Sequence, residues 1–534
     1  MNDLFEGYEP GAAWDEMFDR AGKPRKPAFG LYEDLCALSV SDLDERSAES
    51  DRSFRDQGIT FALSGEERPF PLDPIPRLVM ADEWRTVEQG VAQRVRALEM
   101  FLADAYGAGA VFADAVVPRH LIATSRHFWR HAYGVESRNN VRIHVAGIDL
   151  VKDAQGRFCV LEDNVRIPSG VSYVIENRRA MARMFPESLL SHRVQPVSGY
   201  PAQLLSALQA SAPWAAGSEP TVVVLTPGVA NSAYFEHSFL ARQMGVELVE
   251  GRDLVCRDNA VYMRTTAGQQ RVDVIYRRVD DDFLDPVQFR ADSLLGCAGL
   301  LNAARAGKVT IANAIGNGIA DDKLMYTFVP EIIAYYLDER PILPNVPTYR
   351  LEDPDQLELV IARIDELVVK PVDGSGGHGL VVGPQATDEQ LAATVTTIRQ
   401  RPRDFIAQEL VALSTVPTKV GASVQPRHVD LRPFAINDGE RIWVLPGGLT
   451  RVALRQGSVI VNSSQGGGSK DTWVLAHGEV ATSALGEDGE VAAGSMIAEF
   501  PADWSGQDLG PRFVDTRQVQ VQQQQQGHGR CRPC

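Results

Sequence analysis

From residue 82 to 106 the apolar side chains Val87, Val91, Val95, Leu98 and Leu102 recur every three or four positions. That is the period of one helix face, so the stretch reads as a helix with a buried stripe. The pattern changes at Arg142. Two nearly continuous apolar runs, IHVAGIDLV and FCVLEDNV, flank Asp153-Ala154-Gln155-Gly156 and predict two strands joined by a hairpin. A helix begins at 202–208. TVVVLTPG (221–228) then reads as a buried strand and turn, 236–244 as a helix, and GVELVEG (245–251) as another strand. This β-α-β spacing predicts a small parallel sheet. VDVIYRRVD (272–280) adds a strand that ends in charge.

Further on, the pattern predicts a short strand at 309–312, a helix at 321–336, a strand-loop-strand at 367–383, a helix at 387–399 and a strand at 404–411. VDLRPFAI (429–436), RIWVLPGGLTRVA (441–453) and SVIVN (458–462) predict a meander. The first 80 or so residues are polar and mixed, with FPLDPIP (70–76) as a break. After Leu475 the pattern fades, and the closing VQVQQQQQGHGRCRPC is low-complexity and expected to be disordered.

The 534 residues suffice for roughly three to four domains of about 150 residues each. A net charge of −17 argues against broad binding to nucleic acid or an anionic membrane, both of which need a basic surface. The acidic N-terminus has no apolar signal core and no run approaches the ~20 apolar residues of a membrane span, so the cytoplasm is the expected location. Six cysteines in so long a chain do not form a disulfide framework. Cys36, Cys159, Cys256 and Cys297 are expected as reduced core residues. Cys531 and Cys534 form a terminal CxxC that lacks the second ligand pair of a zinc site.

Two segments carry candidate chemistry. In LVVKPVDGSGGHGLVVG (367–383), Gly374, Gly376 and Gly379 satisfy GxGxxG. A dinucleotide site would have a helix next, whereas LVVG is a strand. A phosphate loop would read GxxxxGK[ST], and a kinase loop puts its lysine after the glycines. What remains is a glycine hairpin lid with Lys370 on the strand that enters it. Its backbone can bend over phosphates and offer N–H donors. The alternative is a plain hairpin with a surface lysine, against which stands the cost of an unpaired ammonium within LVVKPV. In the earlier hairpin, Glu162 and Asn164 leave the same face of one strand, and Asp149 lies across from them. Two carboxylates and an amide oxygen suit Mg²⁺; the alternative is a solvated hairpin face.

Together these segments resemble the ATP-grasp superfamily. The GxD strand matches Gly147-Ile148-Asp149, the ExN strand Glu162-Asp163-Asn164, and the small-residue loop Ser169-Gly170. The superfamily's lysine matches Lys323, its KPxxGSGGxG lid runs from Lys370-Pro371 to Gly379, its QE hinge is Gln408-Glu409 and its DxR strand is Asp430-Leu431-Arg432. NSSQGGGSKD (462–471) matches the segment that normally leads into the metal strands, yet here those strands lie near the N-terminus. That order resembles the circularly permuted bacterial ATP-grasp proteins, akin to the glutathione synthetase and glutathionylspermidine synthase group. The likeness covers roughly residues 30–475.

The resemblance implies an α/β and α+β multidomain fold, a circularly permuted ATP-grasp with a small parallel-sheet pre-ATP domain. The implied divisions are an N-terminal helical or irregular region (1–120), permuted metal-binding strands (121–200), a pre-ATP substrate domain (201–308), a lysine and lid subdomain (309–415), a C-terminal subdomain (416–475) and a variable, largely disordered tail (476–534). It implies ATP and Mg²⁺ as cofactors. Lys323, Lys370 and the lid residues Gly374, Ser375, Gly376 and Gly377 would contact phosphates; Gln408, Glu409 and Leu410 would line the adenine and ribose site. Asp149, Glu162 and Asn164 would hold Mg²⁺, while Arg432 and, by a looser match, Arg451 would join Lys370 in neutralising the transferred phosphoryl group.

Arg166 and Ser169 could bind a substrate carboxylate; Arg277, Arg278 and Asp280 end a strand where α/β clefts bind ligands. Tyr234, Glu236 and His237 follow the TPG turn, and Glu236 would suit an amine or an ordinary helix surface. The implied reaction joins a small carboxylate to an amine or peptide through an acyl phosphate, releasing ADP and phosphate. Two alternatives stay open: a dikinase-type phosphotransferase, for which the lid's His378 would be the carrier, and a non-catalytic nucleotide-binding scaffold. The sequence names neither acid nor amine, nor the oligomeric state.

Overall fold

The structure, a computed structural model, describes residues 4–63, 66–373, 379–455, 461 and 467–476. Its largest sheet has seven strands, in the order Leu72–Val79, Gly468–Val474, Ile442–Val452, Ser423–Asn437, Val145–Lys152 and Phe158–Asn164, with Thr415–Val420 also pairing to Ser423–Asn437. The early hairpin thus docks antiparallel on the late meander, with Leu150 opposite Leu431 and Gly147 opposite Phe434. Every residue of Val145–Lys152 is buried, as expected of a strand covered on both faces. Alternate residues enter separate cores. Ala146, Ile148 and Leu150 join the one built on the helix Ala81–Ala105. Val145, Phe434 and Leu445 join the one built on the helix Val171–Met184.

Ala81–Ala105 is the helix that the 82–106 stripe predicts, and Val87, Val91, Val95, Leu98 and Leu102 are all buried in its seam. The four-stranded sheet Thr310–Ala312, Val274–Arg277, Val222–Leu225 and Glu247–Val249 is parallel throughout. A third sheet, Thr348–Arg350, Phe405–Glu409, Leu367–Pro371 and Val381–Val382, is antiparallel and carries the base of the glycine hairpin. The protein is therefore a mixed α/β, multi-sheet structure.

Two expectations need correction. The proline-rich stretch at 70–76 is no break: Leu72–Val79 runs parallel to Gly468–Val474 at the end of the large sheet. Prolines are tolerated at an edge, where missing N–H groups disrupt no second ladder. The single helix at 321–336 is three pieces, Gly318–Asp321, Lys323–Tyr326 and Val329–Leu337. Asp322 caps the second by accepting from Leu324 N, and Pro330 opens the third, where its missing donor is harmless. The N-terminal region, expected to be helical or irregular, carries the helices Phe29–Cys36 and Val40–Asp56, the latter started by a capping box between Ser39 and Asp42.

Cys36, Cys159, Cys256 and Cys297 are free thiols, and Cys159 and Cys297 are buried. Among the described residues no helix is long and apolar enough to cross a membrane. The expected strand at 458–462 lies outside the described residues except for Val461, and so do the tail and its CxxC.

Candidate functional site

The hairpin register sets the site. Asp149 lies directly opposite Glu162, and Gly147 opposite Asn164, with an irregularity just after Asp149. Asp163 points to the other face, where Arg94 holds it with bonds of 2.6 and 2.8 Å inside the core. Gly147 has a steric reason: a Cβ there would lie 3.1 Å from Pro168 Cβ and 3.2 Å from Arg432 Cδ. Its absence lets Arg432 pass over the strand to reach Asp149.

Arg432 Nη2 donates to Asp149 Oδ2 at 2.8 Å and Arg432 Nε to Oδ1 at 2.5 Å. Arg451 Nη2 reaches the same Oδ2 at 2.8 Å and also binds Asp430. Burial alone would raise the Asp149 carboxyl; the two guanidiniums overcome it and hold Asp149 well below the usual carboxylate range. Arg451, the looser match, is thus part of the same charge network as Arg432.

Lys323 Nζ lies 3.1 Å from Glu162 Oε1. Lys370 Nζ donates to Gln408 Oε1. Burial depresses the Lys370 ammonium to about 8; Glu162 and Asp149 work against that shift and Lys323 adds to it. The structure therefore brings Lys370, Lys323, Glu162 and Asp149 into one electrostatic cluster from both ends of the chain. Gln408 is buried and donates to Thr348 Oγ1 at 3.0 Å, while Glu409 pairs with Arg363 at 3.0 Å and Leu410 is exposed. Gly374, Ser375, Gly376, Gly377 and His378 lie outside the described residues.

The residues expected to bind substrate separate into two groups. Arg166 is held by Asp321 at 2.7 Å and Asp280 at 3.3 Å, beside Lys323, and the Ser169 carbonyl accepts from Arg432 Nη1 at 3.2 Å. Arg277 is fully buried and donates to the carbonyls of Asn313, Val279 and Ala314 at 2.8, 3.0 and 3.1 Å. Its donors tie the ends of the parallel strands. Arg278 is also buried, bonded to Tyr276 Oη at 3.0 Å and Glu236 Oε1 at 3.2 Å. Glu236 is neither a surface residue nor a free amine acceptor: its second oxygen takes Gly170 N at 2.6 Å and Ser172 N and Oγ at 3.1 Å. It locks the loop that follows the carboxylate strand. His237 Nδ1 shares a 2.9 Å bond with Thr226 Oγ1, and Tyr234 is half-buried at the start of the same helix.

Among the described residues no group of three or more His, Cys, Asp or Glu side chains is arranged to hold a metal. The set present is two carboxylates and an amide. Those are hard oxygen donors, and Mg²⁺ usually completes such a partial set with water and substrate phosphates. Asn164 Nδ2 is buried without a hydrogen-bond partner, so that amide is not committed to a structural bond through its nitrogen. Asp149, Glu162 and Asn164 thus fit Mg²⁺ in donor type, and Lys323, Arg432 and Arg451 pair with the two carboxylates.

Sequence reasoning missed Ser125, Arg126, His127 and Arg403. Ser125 Oγ and Arg403 Nη2 both bond Asp322 Oδ2 at 2.9 Å, next to Lys323, and Arg126 pairs with Asp373 at 2.9 Å. These side chains sit in irregular or short segments where no periodicity marks them; only the density of charged and aromatic residues in SRHFWRH could have drawn notice.

A lysine-bearing antiparallel hairpin, facing a carboxylate-bearing sheet supplied from the other end of the chain, defines an ATP-grasp protein in permuted order. The chain belongs to the circularly permuted ATP-grasp type 2 family, whose sequence profile matches residues 76–453. It is 60% identical to an uncharacterized protein of Mycobacterium leprae over 89% of this chain and 85% of that one. A Frankia alni protein provisionally named glutamate–cysteine ligase 2-3 is 47% identical over 88% of this chain but only 54% of its own length. Among solved structures, a glutathione synthetase-like effector of Globodera pallida in its apo form matches with a TM-score of 0.51 at 11% identity, covering 82% of this chain and 98% of that one. That likeness is one of fold.

Proposed function

We propose that the protein is an ATP-dependent carboxylate–amine ligase. The observation that carries this reading is the cluster of Lys370 and Lys323 with Glu162 and Asp149, backed by Arg432 and Arg451. Cations gathered in this way suit a polyphosphate and the charge that develops on a phosphoryl group in transfer. The family supports ATP use, and the provisional name of the Frankia relatives supports amide ligation. In those relatives nearly half the chain lies outside the match, so the named substrates are not carried over.

In this reading Lys370 and Lys323 bind and orient the phosphates, with Gln408 holding the Lys370 ammonium in place. Asp149, Glu162 and Asn164 would hold Mg²⁺, which when bound offsets phosphate charge. Arg432, fixed by Asp149, faces the oxygen of the transferred group. The substrate acid sits near Arg166 and the Ser169-Gly170 loop, which Glu236 keeps rigid. Attack by the acid on the γ-phosphorus gives an acyl phosphate, and amine attack then expels phosphate. In this reading the glycine-rich segment that follows Lys370 in the sequence would exclude water, which would otherwise hydrolyse the intermediate. The products are an amide, ADP and phosphate.

Trapping with hydroxylamine tests the reading. Purified protein is screened against amino acids, small peptides and other small acids for hydroxamate formed only with MgATP. Release of AMP instead of ADP, or phosphate appearing on His378, would replace ligation by a dikinase reaction. Tight ATP binding without turnover on any acid would favour the scaffold.

A further inference from the structure

A cavity of about 270 Å³ lies between Ala103 on the long helix Ala81–Ala105, the loop 135–142 and the outer strand of the parallel sheet, Thr310–Ala312. None of its lining residues belongs to the lysine–carboxylate cluster. Its rim carries Glu136 and Asn140, both exposed, and its wall carries Arg142. Main-chain bonds fix that wall. Arg142 N donates to Glu99 at 2.6 Å, and the Arg142 carbonyl accepts from Ala314 N at 2.8 Å and Asn317 Nδ2 at 2.6 Å.

Arg142 is only 7% exposed, yet among the described residues it has no ion pair. Its one side-chain hydrogen bond there runs from Nη1 to the Val135 carbonyl at 3.4 Å, which sets the guanidinium against another residue of the cavity wall. Nε and Nη2 have no partner but are not sealed from solvent, whereas Arg278 Nε is. In a residue so deeply buried, the cavity is the space those donors reach. Glu99 attracts the guanidinium without pairing to it, since its oxygens take the backbone N–H groups of Arg142 and Ile143. The Tyr106 ring, 5.9 Å away, offers only a weak contact. A buried cation without a counter-charge is costly, and a guanidinium with free donors matches a carboxylate.

We propose that this cavity binds a free amino acid, outside the lysine–carboxylate cluster. The carboxylate accepts from Arg142 Nε and Nη2. The ammonium lies toward Glu136, which has no partner among the described residues, and the Asn140 amide stands beside it at the rim. A phosphate, or an acid without an amino group, would meet Glu136 as a like charge. The volume falls just below the roughly 300–1,000 Å³ of drug-sized ligands and so suits a small molecule. Arg142 stands three residues before the carboxylate strand Val145–Lys152. A ligand that fixes Arg142 therefore acts on the entry to that strand, which is an effector's position and not a substrate's.

The experiment is calorimetry on the full chain without ATP, with glycine, L-alanine and L-serine as probes and acetate and phosphate as comparisons. At least one amino acid should bind more tightly than either comparison and raise the melting temperature. Ala103→Glu places a carboxylate against the cavity from an exposed helix position. It should melt near wild type and weaken binding about tenfold or more, the scale for a lost bond to a charged group. Arg142→Gln should lose binding to the same extent; where it fails to fold, Ala103→Glu decides. Glu162→Gln, in the cleft, should bind as wild type does. No binding of the three amino acids, equal or tighter binding of acetate or phosphate, or binding that survives Ala103→Glu overturns the proposal. So does binding lost in Glu162→Gln, which would move the amino acid to the cleft. With no ATP present, the outcome is independent of the ligase reading.

Discussion

Glu162 and Asp163 are neighbours on one strand and serve opposite faces of the sheet: Glu162 meets Lys323 at 3.1 Å in the cleft, and Asp163 meets Arg94 at 2.6 Å in the core. Their substitutions should separate. Removing Asp163 leaves a buried guanidinium unpaired, which costs about 3–5 kcal/mol. Asp163→Ala should therefore unfold at much lower denaturant, while Glu162→Gln should melt near wild type and lose MgATP-dependent hydroxamate. Similar stability losses in both variants would contradict this division.

Lys370 is held in a buried position that disfavours its own charge. Such residues exchange stability for function. Lys370→Met should reduce turnover by about 10² or more, the scale for removing a preorganised charge, with a melting temperature equal to or above wild type. A clear drop in melting temperature would show that Lys370 is a structural residue.

Since the Lys370 ammonium titrates near 8 rather than at its ordinary value of 10.5, and phosphates prefer its charged form, ATP binding should take up a proton around pH 8. Calorimetry of MgATP binding in buffers of different ionisation enthalpy reads this directly. Affinity should weaken as pH rises through about 8 in wild type but not in Lys370→Met.

Glu99, on the long helix, accepts Arg142 N at 2.6 Å and Ile143 N at 2.8 Å at the entry to the carboxylate hairpin, and burial raises its carboxyl to about 7 from 4.5. Between those two values the folded state binds more protons than the unfolded state, so this group's contribution to stability falls as pH rises and levels off above about 7. Glu99→Gln should flatten that part of the stability–pH curve. An unchanged slope would rule Glu99 out as its source.

What the sequence discloses here follows from periodicity. The long helix, the 142–165 hairpin and the parallel sheet all read correctly because one or both faces are buried. The carboxylate and lysine positions stand out in the sequence because a charge within an apolar strand needs a reason. The edge strand Leu72–Val79 was hidden by its prolines, and the break before Lys323 by a cap that resembles any other aspartate. Arg277 and Arg166 look alike as letters; the fold ties one to three backbone carbonyls and pairs the other with Asp321 and Asp280.

Asp149 and Arg432 are 283 positions apart and meet on adjacent strands. On a ribosome adding about 5–20 residues per second, the apolar hairpin 145–164 would be made roughly 15–60 s before the strand that completes its sheet. Through that interval one edge of the hairpin has no native neighbour, and open apolar edges invite pairing with other chains. The permuted order should therefore make truncation of the late strands cost more soluble protein on expression than truncation of an equal length elsewhere, because the hairpin edge then never gains its neighbour.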